Sequence, residues 1–336
     1  MEAGSIVVND GHVALFVASL LAGAAPLVLA AMGETLTERA GIINLSLDGT
    51  ILLAAMAAFV TALKTQFLLL GFGIGALIGA MTAAVVAFMS LQLGRSQVAV
   101  GFVLTLMTKD LAYFLGNAYA RLPGPQVPSL PVPWLRDLPG LGPALFQHSA
   151  VTYGSLLCLA VTWLFLYRSR LGLVVRAVGE NPQAAFARGI HARRVQFLVT
   201  VLGGVLVGLA GAAFSLSVKP GWGRPQGAEG IGWIALALVI FGGWHPLKVA
   251  VGAYLFALLQ MLGITLQGLW PSIPSQVFQT APFPLMIFTL VFMHVGERPE
   301  MERWAAAKPW AGRLLRFLRA RAPRALGRAV LPENPS

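Results

Sequence analysis

Apolar residues in this chain come in long blocks, at 12–32, 44–63, 67–93, 97–119, 149–167, 195–218, 229–243, 248–269 and 277–295. A helix needs about 20 apolar residues to cross a hydrocarbon core of about 30 Å, and most of these blocks supply them. The pattern predicts an all-α polytopic membrane protein, a bundle of about nine transmembrane helices within a range of eight to ten. The block at 229–243 is short, so it must be tilted, extended or partly buried in protein. Gly71, Gly75, Gly79 and Ala83 recur every four residues, as do Gly204, Gly208 and Ala212. Small residues on one helix face let backbones approach closely in lipid, which predicts a compact bundle.

Between the fifth and sixth blocks, residues 168–194 carry six Arg and one acid, Glu180. The positive-inside rule places this loop in the cytoplasm. Within it, Asn181 can cap a helix, Pro182 suits the first turn and Gly189 can end it, so a short capped helix is expected. A rigid helix held in water by a membrane protein implies something to dock against. Alternating spans from this loop put Arg95 and the tail inside, and the Lys/Arg-free N-terminus outside. Residues 120–148 then lie outside and hold seven prolines, which predicts an extended, semi-rigid loop. Its apolar residues, Trp134, Leu135, Leu138, Leu141 and Phe146, leave two readings: a plug over the helix ends, or a rim for an external protein.

Composition supports the membrane reading. The chain is 57% hydrophobic and 11% charged over 336 residues, too apolar for a soluble surface. No Lys or Arg precedes the first block, so we read it as a retained span and not a cleaved signal peptide. The single cysteine, Cys158, reads as a small core hydrophobe. The net charge of +11 gathers in the 168–194 loop and the tail, where residues 297–336 hold nine Lys/Arg against four Glu. That placement suits an anionic cytoplasmic leaflet and not nucleic acid. The expected division is a permease domain at 1–296 and a basic cytoplasmic tail at 297–336. Trp310, Leu314, Phe317 and Leu318 give the tail the option of a membrane-surface helix, with disorder beyond Pro323 as the other reading.

Candidate chemistry is sparse. The sequence has no phosphate-binding Walker loop, no His-Glu-x-x-His pair and no nucleophile elbow. No catalytic residue, metal site or cofactor is expected, and paired carboxylates at helical spacing within a span are not expected either. A transport role fits, driven by an ion gradient or by another chain. Four positions stand out on a solute path: Asn44, Asp48, Asp110 and Trp233. Asn44 and Asp48 are four apart and share a helix face, where Asp48 either caps backbone donors or lines a polar cavity. Lys109 and Asp110 fall mid-span, where a charge costs at least ~2.5–3.5 kcal/mol unless it faces protein or water. They pair with each other or across helices. Trp244 reads as an interface anchor, while Trp233 is open between anchoring and stacking on a planar ligand.

Three ordered stretches carry a family resemblance. Gly33-Glu34 through Glu38-Arg39-Ala-Gly41 to Asn44-Leu-Ser46-Leu-Asp48-Gly49 resembles a signature that starts Gly-Glu and continues Glu-Arg-x-Gly, then Asn-Leu-Gly-x-Glu-Gly. Arg176-Ala-Val-Gly-Glu180-Asn181-Pro182-Gln-Ala-Ala185-Phe-Ala-Arg-Gly189 resembles the same family's cytoplasmic motif. Gly230-Ile-Gly-Trp233 with Trp244-x-Pro246 resembles a third. Together they are similar to permease subunits of bacterial ABC importers, in the branched-chain amino acid and simple-sugar permease superfamily. The chain departs from the signature at Ser46, where Gly is usual, and at Asp48, where Glu is usual. The loop from Pro131 to Phe146 looks like that of permeases served by Bmp-type lipoproteins. The resemblance implies a multi-pass protein of the cytoplasmic membrane that imports a nucleoside or simple sugar. It implies a cytoplasmic ATPase, a second and often nonidentical permease chain, and an extracytoplasmic substrate-binding lipoprotein. It also makes Glu180, Asn181, Pro182, Ala185 and Gly189 the coupling element toward the ATPase. A branched-chain amino acid permease of the same kind, or an ion-driven secondary transporter, is the alternative.

Overall fold

Lipid offers nothing to bond a free backbone amide, so apolar blocks must satisfy their own polar groups as helices. The computed structural model describes residues 10–136, 138, 141–269, 284 and 322–328. Its helices are α1 (Asp10–Arg39), α2 (Leu47–Thr65), α3 (Leu68–Leu91), α4 (Gln97–Gly116), α5 (Leu141–Leu145), α6 (Ala150–Arg168), α7 (Arg170–Glu180), α8 (Pro182–Ala187), α9 (Ala192–Ala213), α10 (Ile231–Phe241) and α11 (Pro246–Leu269). Seven of them, α1, α2, α3, α4, α6, α9 and α11, are long and apolar enough to cross a membrane, and α10 is not. Eight predicted blocks are therefore helical. The ninth, 277–295, lies outside the described residues, as does the surface-helix candidate around Trp310–Leu318.

The two glycine stripes meet each other. A Cβ on Gly79 would strike the carbonyl of Gly204 and come within 2.6 Å of the Gly208 amide. One on Gly208 would strike the carbonyl of Gly75. α3 and α9 therefore pack backbone to backbone. α2 lies against both, with Leu47, Ile51, Leu52 and Phe59 fully enclosed. α1 covers the other side of α9 and carries α6, α10 and α11 against it. α4 packs on α2 and α3 at one edge, and its outward face, including Phe102, Leu106 and Phe114, is exposed.

The structure bears on three expectations about connections. The segment 168–194 is a pair of helices and not a loop with one. Ser169 accepts from the Gly172 amide at 2.9 Å to start α7, and Val175 and Val178 turn inward. That apolar spacing was present in the sequence but lies under the arginines. Second, the Pro-rich loop covers helix ends, as the plug reading expects. Gly124 abuts the Phe59 ring and the Val127 amide donates to the Leu216 carbonyl at 2.9 Å, sealing the helix ends. Beyond them Trp134 stands 90% exposed. Third, residues 322–328, within the stretch that composition left open to disorder, form a turn with Pro323 and Ala325 buried.

Gly208→Leu should force α3 and α9 apart and lower the thermal unfolding midpoint in detergent, at a cost of at least ~2 kcal/mol. Gly73→Ala, which meets open space on the same helix as Gly79, should leave that midpoint unchanged or raise it slightly.

A membrane-depth polar face as the candidate functional site

α10 has 11 residues, so it spans about 16 Å, roughly half the hydrocarbon thickness. It cannot start at a surface and also end at one. The turn after it reaches Arg39 and Tyr167 at the C-terminal ends of α1 and α6, so its N-terminus lies at membrane depth. There Asp48 receives it: Oδ1 accepts from the Gly230 amide at 2.7 Å and the Gly232 amide at 3.3 Å. Asp48 is 4% exposed and caps a helix, but the helix is α10 and not its own α2. Gly232 is required at this contact, because a Cβ there would strike the backbone of Asp48.

The link from α9 to α10 thus re-enters the membrane as irregular chain, which is tolerated only where its polar groups are satisfied within protein. Gln226 donates to the Gly221 carbonyl at 3.0 Å and accepts from the Gly223 amide at 2.9 Å. Glu229 accepts from the Gln226 and Gly227 amides at 2.8 and 2.6 Å, and from the hydroxyl of Tyr113 on α4. The Arg224 guanidinium sits 4.8 Å over the Tyr113 ring, and Trp222 lies 5.7 Å from that ring on the buried side. Tyr113, Trp222, Arg224 and Glu229 were missed by sequence reasoning. The signal was a Gly/Pro-rich stretch with Trp, Arg, Gln and Glu ahead of a block too short to span.

The four predicted path residues separate. Asn44 is buried in the α1–α2 turn, where its Oδ1 accepts from the Ser46 amide at 3.1 Å and hydroxyl at 2.6 Å. Ser46 in turn accepts from Thr50 at 3.4 Å, and Thr50 donates to Thr82 at 3.0 Å. Asp48 is next to this network, with the Lys109 charge acting on it. Asp110 points the other way, exposed on α4 with no side-chain partner among the described residues. Trp233 is exposed on α10 with Ile240. Asp110 on α4, Arg224 in the link and Trp233 on α10 are each exposed, with Lys109 and Tyr113 partly covered, and Arg224 is joined to α4 through the Tyr113 ring. A cavity of ≈ 400 Å³ opens elsewhere, between α1, the loop tip and α11, with Ser19, Glu229 and Gln260 as polar lining. None of the four predicted residues lines it.

Two further expectations are corrected at the cytoplasmic ends. A carboxylate pair does occur within a span, because α1 runs seven residues past the apolar block and includes Glu34 and Glu38. They lie one helical turn apart on α1. Glu34 accepts from the Asn44 amide at 3.1 Å, and Glu38 accepts from the Trp244 indole. Both are fully enclosed, and the pair joins elements instead of opening to a substrate. Trp244 is accordingly no lipid anchor: with φ +56° it turns inward and is buried against α1. Arg39 completes the joint through the carbonyls of Trp244 at 2.7 Å and Gly243 at 3.3 Å. His245 packs on Tyr167 at 4.8 Å, and burial together with Lys248 and Arg39 keeps its pKa below the ordinary value.

The short cytoplasmic helix forms as its caps require. The Ala184 amide donates to Asn181 Oδ1 at 3.0 Å, Pro182 opens α8, and Gly189 leaves it at φ +80°. Ala185 is 5% exposed and packs with Val178 and Ala192, whereas Phe186 is 42% exposed and faces away. Glu180 is exposed just ahead of the cap, and the adjacent Gly179 packs on the Arg39 carbonyl.

Comparison with known proteins completes the picture. The family described as "Branched-chain amino acid transport system / permease component" matches residues 16–293. The putative glucose ABC transporter permease protein TsgC13 of Haloferax volcanii is 40% identical over 247 residues, covering 72% of this chain and 75% of that protein. The nucleoside ABC transporter permease protein NupC of Lactococcus lactis is 31% identical, covering 83% of this chain and 91% of the relative. The guanosine ABC transporter permease protein NupQ of Bacillus subtilis is 30% identical, covering 82% and 91%. No solved structure matches. A multi-span bundle with a re-entrant half-helix and a short capped helix, a family match over residues 16–293 and the named permease relatives lead to one assignment: the chain belongs to the branched-chain amino acid transport system permease family.

Proposed function

We propose that this chain is the membrane-spanning permease subunit of an ABC importer that carries a nucleoside or a simple sugar into the cytoplasm, and that it is not itself an enzyme. The observation that carries this reading is the exposure of Asp110 on α4, Arg224 in the re-entrant loop and Trp233 on α10, which in this reading belong to one face. Bare lipid there would cost ~2.5–3.5 kcal/mol per charge. A second permease chain covering that face would instead enclose a polar, aromatic-lined path. Aromatic faces and carboxylates suit a solute with a ring and hydroxyls. The solutes for which these relatives are named, nucleoside, guanosine and glucose, support that class over a branched-chain amino acid.

In this reading Asp110 and Trp233 contact the path, while Asn44 and Asp48 shape it from behind. Glu180, Asn181, Pro182, Ala185 and Gly189 form the coupling element that docks on a cytoplasmic ATPase, with Phe186 as its outward contact. The Trp134 rim receives an extracytoplasmic substrate-binding lipoprotein. The permease domain ends near residue 296, and 297–336 is a cytoplasmic tail.

Three measurements test the reading in proteoliposomes holding the permease chains, the ATPase and the binding protein. Uptake of labelled nucleoside or sugar should require ATP, and uptake by this chain alone in an ion gradient would overturn the importer assignment. Asp110→Asn should cut uptake about tenfold, the loss of one charge-assisted hydrogen bond, with assembly of the complex intact. Asp48→Asn, which keeps an acceptor for α10, should fold normally and retain most uptake. Asp48→Ala, which leaves two buried amides unpaired at about 1–3 kcal/mol each, should lower the unfolding midpoint. Phe186→Ala should weaken retention of the ATPase, whereas Ala185→Arg should dislodge α8 and expose residues 168–194 to protease. Full ATPase retention by both variants would remove α8 from the docking role.

A further inference from the structure

Residues 322–328 lie beyond the stretch that the family matches, 16–293, yet they are seated against its cytoplasmic side. The Ala325 amide donates to the Gly179 carbonyl at 2.9 Å, and the Gly327 amide to the Gly41 carbonyl at 3.3 Å. Gly41, at φ +93°, holds the left-handed turn that glycine favours, and Ala325 lies against it at van der Waals distance. Leu326 turns toward the main core. The turn therefore ties the α1–α2 corner to the last residues of α7, two positions before the Asn181 cap of α8.

Its side chains divide by direction. Pro323 and Ala325 are buried, while Arg324 and Arg328 are exposed. Both arginines project from a backbone fixed at two points, so neither loses the entropy of ordering a free tail when it binds. Arg188, at the end of α8, is likewise exposed. Guanidinium groups on a fixed scaffold are suited to bidentate capture of carboxylates. The site sits at the end of α7 that leads into α8, not at the end where α6 leaves the bilayer, which favours a protein partner over lipid headgroups.

We propose that residues 322–328 form a second pad of the ATPase-docking face, with Arg324 and Arg328 taking acidic side chains on the rim of the cleft that receives α8. The proposal rests on the reading of α8 as the docking element. It gives the ATPase a second grip, on the α1–α2 corner as well as on α7.

The test uses the assembled importer in nanodiscs of phosphatidylcholine alone or with phosphatidylglycerol. The double substitution R324E/R328E should weaken ATPase retention roughly fivefold, as expected for reversed rim charges. The difference should be present at about 0.15 M salt, vanish near 1 M, and be the same in both lipids. The unfolding midpoint of the permease should not move, because both side chains are exposed. Unchanged retention, or a loss seen only with phosphatidylglycerol, overturns the proposal, the second result assigning the arginines to lipid. Phe186→Ala separates the two readings. If it releases the ATPase and R324E/R328E does not, the α8 reading stands and the pad falls. If the unsubstituted complex retains no ATPase, the α8 reading falls first.

Discussion

A helix that begins inside a membrane leaves its first backbone amides with no water to bond them. α10 is such a helix, and the Asp48 carboxylate is what satisfies it. Much of the architecture follows from that one contact. Asp48 must lie at the depth where α10 begins, so the α1–α2 turn folds back along α1 and starts α2 inside the membrane. The Asn44 amide bonding Glu34 fixes how far it folds. The re-entrant loop must bring Gly230 and Gly232 to the carboxylate without exposing its own amides, which is the work of Gln226 and Glu229. Lys109 supplies the nearby positive charge. The helix dipole adds to this, since the N-terminus of α10 favours an anion at its mouth.

The same hairpin holds the other end of α10. Glu38 and Arg39 grip Trp244 and Gly243 immediately after the helix ends. α10 is thus suspended between acids of one α-hairpin: its start on α2, its end on α1. Gly179, just ahead of α8, packs directly on the Arg39 carbonyl. A displacement of α8 therefore reaches the α10 joint through two packed contacts, with no flexible segment between them. Close-packed interiors transmit strain in this way because they lack voids to absorb it.

What the sequence disclosed and what it hid divide along a physical line. Spans, caps and glycine stripes are local: Asn181, Pro182 and Gly189 specify α8 without reference to anything outside it. Gly75, Gly79, Gly204 and Gly208 announce two close-packing faces, and only their mutual pairing needed the structure. Partner choice is not local. Asp48 was readable as a cap, but its helix lies 182 residues on. Glu34 and Glu38 were placed outside the first span because hydropathy counts a carboxylate as polar, whether or not Asn44 and Trp244 wait for it. Trp244 was misjudged for the same reason: an indole near a span end anchors in the interface unless the backbone turns it inward, and φ +56° does so here. Tyr113 and Glu229, 116 residues apart, had no signature that would join them.

Asp48 and Asp110 make the most informative contrast. Both are aspartates at membrane depth in helices that pack on each other. One has two amide donors, a nearby lysine and almost no exposure. The other lies on the outer face of α4 among Phe102, Leu106 and Phe114, with no partner in the described chain. A fold that satisfies one carboxylate so fully has not left the other bare through any general tolerance of charge in lipid. An exposed acid on an apolar helix face calls for a counterpart beyond the described residues, which is why the proposed path is drawn along α4. On the proposed reading, the carboxylate that the described chain leaves unpaired, and not the one it buries, faces the solute.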